Sequence, residues 1–157
     1  MDDQALMEVA IAEAVAGVEA GDGGPFGAVI ARGGQVIAKG HNRVTSSLDP
    51  TAHAEVEAIR AACKVLGTFD LGGCDLYASC EPCPMCLGAA LWSRVDRLFF
   101  AANRLDAERA GFDDAVFYEQ LERPTFERAR PVTARLVPSN ALAPFEAWAN
   151  KAGRILY

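Results

Sequence analysis

Two short segments, His53-Ala54-Glu55 and Pro82-Cys83-Pro84-Met85-Cys86, carry side chains that metals prefer, and each opens a stretch with helical periodicity. If one ion is to hold donors from both, the starts of two helices must meet at one point. That requirement constrains the fold more than any other feature of the chain. Its 157 residues are 51% hydrophobic and 23% charged, which suits one ordinary domain and excludes a disordered chain. The longest apolar runs, such as Leu87 to Trp92, fall well short of the ~20 residues that cross a bilayer. The opening Met1-Asp2-Asp3-Gln4 is acidic where a secretory leader is basic. A cytoplasmic protein is expected, with no membrane partner.

The formal net charge of -6 weighs against a nucleic-acid partner, whose phosphates are bound through lysine and arginine. Five cysteines are present, three of them at 80, 83 and 86. In a chain with no export signal such a cluster points to metal binding or catalysis rather than to disulfides.

The periodicity predicts a helix over 4–20, with Met7, Ile11, Ala14, Val15 and Val18 as its inner face. Phe26–Ala31 and Gln35–Lys39 read as a hairpin around Arg32-Gly33-Gly34. A second helix is expected over Thr51–Leu66, a strand over Asp75–Ser79 and a third helix over Cys83–Ser93. Arg97–Ala101 reads as a strand apolar enough for the middle of a sheet. Helices are also expected over Asp113–Leu121 and Pro144–Lys151, while the proline-bearing stretch between them has no assignment. A hairpin followed by helix–strand–helix–strand argues for three layers, α/β/α, around one mixed sheet.

Cys83 and Cys86, three apart, lie roughly 60° apart on a helix. A first helical turn also favours the thiolate a metal needs. His53 and Glu55, two apart, lie roughly 200° apart on a regular helix, so His53 belongs at the helix start with Glu55 in the first turn. One histidine and two thiolates leave the fourth position of a zinc ion for water, the mark of a catalytic site. Glu55, beside the metal without binding it, is placed to carry protons. H-x-E followed by P-C-x-x-C is the pattern of zinc nucleobase deaminases. Cys80, Cys83 and Cys86 resemble part of an iron–sulfur run, but no fourth cysteine follows at ferredoxin-like spacing. A structural zinc on these three and a fourth thiol such as Cys74 leaves His53 and Glu55 without a purpose. Cys63 and Cys74 read as thiols with no role, and His41 as a turn residue.

Asp49–Ile59 (DPTAHAEVEAI) and Ser79–Ala90 (SCEPCPMCLGAA) resemble the cytidine deaminase-like superfamily. Within it the likeness to bacterial guanine deaminases runs along nearly the whole chain. It includes Gly23–Ile30 (GGPFGAVI), Ala110–Asp114 (AGFDD) and Pro144–Trp148 (PFEAW). The resemblance implies a three-layer sandwich with a five-stranded mixed sheet. It implies one zinc ion per subunit on His53, Cys83 and Cys86, with Glu55 as proton shuttle. It also implies a single domain over 1–157 in a homodimer whose C-terminal segments, about 130–157, are exchanged, so that Tyr157 completes the partner's pocket. Gly153-Arg154-Ile155-Leu156 departs from that branch's polar tail.

By the same resemblance Asn42 hydrogen-bonds a purine base, Phe26 and Trp92 stack on or wall it, and Asp114 is a second carboxylate. Turn asparagine, core aromatics and helix cap are the structural roles that compete for these residues. The implied reaction converts guanine and water to xanthine and ammonia, with attack at ring C2. A tRNA adenosine deaminase shares both motifs, and a non-enzymatic zinc module has no need of Glu55. The pI near 4.9 and the lack of a basic C-terminal helix weigh against the tRNA reading.

Overall fold

The computed structural model describes residues 1–157, which divide into two compact units, 1–114 and 115–157. The first opens with helix α1 (Asp3–Glu19), capped by the Asp2 carboxylate, which accepts the Ala5 N–H at 2.8 Å. Strands β1 (Gly27–Arg32) and β2 (Gln35–His41) form the expected hairpin. Its turn is Gly33-Gly34, both at positive φ (56° and 78°), the backbone that a two-residue type I′ turn demands. Then follow α2 (Val44–Ser47), α3 (Ala54–Leu66), β3 (Asp75–Cys80), α4 (Pro84–Ser93), β4 (Arg97–Ala102) and α5 (Arg104–Arg109).

The sheet order is β2-β1-β3-β4. β1 runs antiparallel to β2 and β3, and β4 runs parallel to β3 through the α4 crossover. Successive side chains of β1 alternate between two cores. Ala28 and Ile30 pack with Ala54, Ala58 and Ala62 of α3, Leu76 of β3 and Ala90 of α4. Val29 and Ala31 pack with Leu6 and Ala10 of α1 and with Tyr77. These are the three expected layers, and they put the starts of α3 and α4 on one side of the sheet.

Three expectations need correction. The sheet has four strands, not five. Beyond β4 the chain turns helical, and residues 131–139 form no ladder; Pro131 and Pro138 in that stretch lack the N–H a ladder requires. β4 is the edge strand rather than a central one, and Phe100 is half exposed there. Finally, α1 buries Leu6, Ala10, Ala14 and Gly17 and leaves Ile11, Val15 and Val18 exposed. Two stripes share the helical period, and close approach selects the small one. A Cβ on Gly27 of β1 would stand 2.2 Å from the Ala10 carbonyl oxygen, so only small residues fit on both sides.

The second unit holds α6 (Ala115–Glu122), a 3₁₀ turn (Thr125–Glu127) and α7 (Ala143–Asn150). Its loop is tied internally: the Gln120 side-chain oxygen accepts the Ala129 N–H at 2.7 Å, and its backbone oxygen accepts Arg128 Nε at 3.0 Å. No residue of this unit is buried. No helix of the chain is long and apolar enough to cross a membrane.

Candidate active site

The chain prepares the start of α3 locally. Asp49 accepts both the N–H and the hydroxyl of Thr51, a short polar turn that halts the chain before the helix. The Ala52 carbonyl accepts the Arg43 N–H at 2.9 Å. His53 follows as N-cap of α3 with extended backbone (φ -72°, ψ 155°), so its ring projects away from the helix. Its carbonyl accepts the Glu57 N–H. Cys83 caps α4 in the same conformation (φ -66°, ψ 168°), and Pro84 fills the first helical position, where a missing N–H costs nothing. Cys83 is therefore the N-cap and Cys86 lies in the first turn, where it is fully buried.

The two helix starts meet. His53 Nδ1 lies 3.6 Å from Cys83 Sγ and 3.4 Å from Cys86 Sγ, and the three donor atoms fall within 4.8 Å of one another. A tetrahedral zinc with one nitrogen and two sulfur ligands separates N from S by about 3.6 Å, so the donor spacing fits that ion. Donor chemistry fits too. The hydrogen bond from Cys86, aided by His53, holds the Cys83 thiol far below the ordinary thiol range despite partial burial. Cys86 is pushed the other way by Cys83, burial and Glu55, so Cys83 ionises first.

Glu55 is 7% exposed and outside the donor cluster. Burial pushes its carboxyl above the usual range, against the hydrogen bonds from its own N–H and from the Cys86 thiol. A carboxyl beside a metal cluster, kept from water and readily protonated, has what a proton carrier needs. Asp114 joins this neighbourhood. Burial first, then the Cys83 charge, raises its pKa, with Arg104 opposing.

Asn42 is buried, and its Oδ1 accepts the N–H groups of Gly24 (3.1 Å) and Val44 (3.2 Å). The turn role and the recognition role are thus compatible. Oδ1 holds the loop and leaves the Nδ2 donor outside those two bonds. Phe26 packs edge-on against Phe112, centroids 4.9 Å apart at 86°. A Cβ on Gly24 would stand 3.2 Å from both rings, so the glycine admits the pair. Phe112 lies within the AGFDD segment, whose sequence gives no hint that its ring meets Phe26. Trp92 stands near the C-terminal end of α4, ~13 Å along the helix axis from Cys83, with 67% of its surface exposed. Tyr157 belongs to the second unit and is 72% exposed.

A half-buried histidine and two thiols that leave the fourth position of a zinc ion to water, with a buried carboxyl alongside, all at paired helix starts beside a mixed sheet, define a zinc hydrolase of nucleobase-deaminase type. The zinc-binding region of cytidine and deoxycytidylate deaminases matches residues 1–102, and the chain belongs to that family.

The similarity extends further for particular relatives. Guanine deaminase of Bacillus subtilis (strain 168) is 51% identical over the full length of both chains. The X-ray structure of guanine deaminase from Bacillus subtilis superposes with a TM-score of 0.96, covering 100% of this chain and 99% of the other. The tRNA-specific adenosine deaminase of Aquifex aeolicus (strain VF5) is 41% identical over 80% of each chain. A relative solved in complex with 2,6-diaminopurine is 41% identical, with a TM-score of 0.66 over 69% of this chain and 60% of the other.

Proposed function

We propose that this chain is a zinc-dependent aminohydrolase that converts guanine and water to xanthine and ammonia. The observation that carries the reading is the His53–Cys83–Cys86 cluster with buried Glu55 outside it. Similarity to a guanine deaminase along the whole chain, and a relative that holds a diaminopurine, support the choice of base.

One zinc per subunit, held by these three side chains, supplies a water activated near neutral pH. The remaining work falls to the protein. Glu55 accepts a proton from the attacking water, delivers it to the ring nitrogen beside C2, and returns a second proton to the departing amine. Phe26, braced by Phe112, offers a flat apolar wall to the base, and the Nδ2 donor of Asn42 fixes its orientation. Asp114 faces the ring's N–H edge as a second carboxylate.

Residues 1–157 act as one deaminase domain in a homodimer, with about 130–157 exchanged between subunits. Support comes from the second unit, which buries none of its own side chains, Phe145 and Leu156 included. An apolar segment of that kind needs a surface to cover. In this arrangement Tyr157 completes the partner's pocket, and Trp92 walls the base. Five free cysteines suit a reducing cytoplasm.

The tRNA reading is the weaker one: that relative matches 80% of the chain and the net charge is -6. Ammonia release with guanine, adenine, cytosine and guanosine tests the assignment. Guanine is expected to turn over fastest. An inert guanine beside an active cytosine contradicts the proposal, and salt-sensitive retention of tRNA favours the alternative.

A further inference from the structure

His41 closes β2 one residue before Asn42, and the chemistry above makes no use of it. Its ring lies between two carboxylates: Nδ1 is 2.9 Å from Glu13 Oε1, and Nε2 is 2.8 Å from Asp22 Oδ2. A neutral imidazole has one N–H and one lone pair, so it bonds one carboxylate and sets its lone pair against the other. Two contacts of this length call for protons on both nitrogens.

The surroundings suit that cation. α1 presents Glu13, and at Gly17 a Cβ would stand 2.8 Å from the ring carbons, so the helix leaves a berth for the imidazole. The 20–25 loop presents Asp22. Lys39, on β2 itself, pairs with Glu13 at 2.7 Å, and Arg43 pairs with Asp22 at 3.2 Å. β1 sets Gly27 opposite His41 and adds no side chain. Glu57 of α3 lies against Gly40, whose neighbours occupy the other face of the strand. Partial burial draws the His41 pKa down, but the bonds to Glu13 and Asp22 and their charges outweigh it and leave it raised.

Asp22 carries the effect to the site. Its N–H donates to the Gly17 carbonyl at 3.0 Å, and its carbonyl accepts the Ser46 N–H and the Thr45 hydroxyl, each at 3.2 Å. The loop it anchors runs into Gly24, whose N–H holds Asn42 Oδ1. Gly23 lies against the same residue: a Cβ there would come 2.4 Å from Asn42 Oδ1. The Asn42 side chain therefore has little freedom while the loop stays seated.

We propose that His41 is a positioning residue: as an imidazolium bridging Glu13 and Asp22, it seats the 20–25 loop against the end of β2 and so aims the Asn42 amide at the purine. This rests on the reading of Asn42 as a contact to the base. Loss of the ring proton breaks one bridge and loosens the loop, while the metal cluster and Glu55 stay as they are. Substrate binding weakens and the chemical step does not.

Two measurements on the zinc-loaded enzyme test this. The chain has two histidines, and zinc-bound His53 does not titrate, so nitrogen NMR reads His41 alone. Both ring nitrogens of His41 are expected to stay protonated past the pH at which an ordinary histidine loses its ring proton. The KM for guanine is expected to rise about tenfold across its deprotonation, with kcat within about twofold. His41→Asn gives the high KM at every pH, His41→Lys restores the low one, and Asp22→Asn moves the rise to lower pH. Should His41→Asn fold poorly, Asp22→Asn and Glu13→Gln keep the proposal testable: each removes one carboxylate charge from His41 and should move the KM rise to lower pH. A His41 that titrates at or below the ordinary histidine midpoint overturns the proposal. So does a wild-type KM in His41→Asn when Asn42→Ala raises KM. If Asn42→Ala also leaves KM unchanged, the reading of Asn42 is wrong and the positioning role falls with it.

Discussion

His53 and His41 are both half-buried, and each has two side chains bonded to its ring, yet their partners give them opposite work. His53 presents a single nitrogen, Nδ1, to two sulfurs at the start of α3. His41 presents both nitrogens to two carboxylates at the end of β2. Soft thiolates around one nitrogen make a metal site, which needs neutral imidazole. Hard carboxylates around two nitrogens make a clamp, which needs imidazolium. The residue type is the same; partner chemistry and the number of nitrogens engaged decide whether it binds an ion or becomes one.

Substitutions at the two histidines separate these roles. The largest effect is expected at His53: His53→Ala removes a ligand that nothing nearby replaces, so zinc content and guanine turnover should both fall to background. Full zinc occupancy in that variant breaks the contrast. His41→Asn should keep its zinc and its kcat while its KM rises about tenfold, as kinetics beside metal analysis will show.

Gly17→Ala is a subtler probe of the clamp, since its Cβ would meet the His41 ring at 2.8 Å. It should reproduce part of the KM rise and destabilise the fold by about 1–3 kcal/mol, read from denaturant midpoints. The smallest effect is on stability against pH. The pKa of His41 is raised in the folded state from an ordinary value of 6.5. Its contribution is therefore complete below that value and lost as pH rises through the folded pKa. The Tm gap between wild type and His41→Asn should narrow on going from about pH 6 to about pH 9; a gap that widens contradicts the clamp.

The metal site was legible in the sequence because its information is local. His53 and Glu55 lie in one turn, Cys83 and Cys86 in another, and helix geometry alone says how each pair must sit. The hairpin was legible for the same reason, in its Gly33-Gly34 turn. The clamp was not, since Glu13 and Asp22 stand 28 and 19 residues from His41 and no spacing rule links them. The one signal was Gly17, a glycine inside an otherwise sound helix, which marks a close approach without saying of what. The buried face of α1 was misread because Ile11, Val15 and Val18 make the more hydrophobic stripe, whereas contact with Gly27 selects the narrower one. β4 was misread because its phenylalanines suit a central strand, and composition does not reveal whether a fifth strand follows.

Zinc content and guanine turnover measured on one purified sample of Glu55→Ala test the central claim most directly. With Glu55 as proton carrier and not a ligand, the variant should hold one zinc per chain while its kcat falls by about 10²- to 10⁴-fold. A variant that still deaminates guanine at close to the wild-type rate, or one that loses its zinc, contradicts the account.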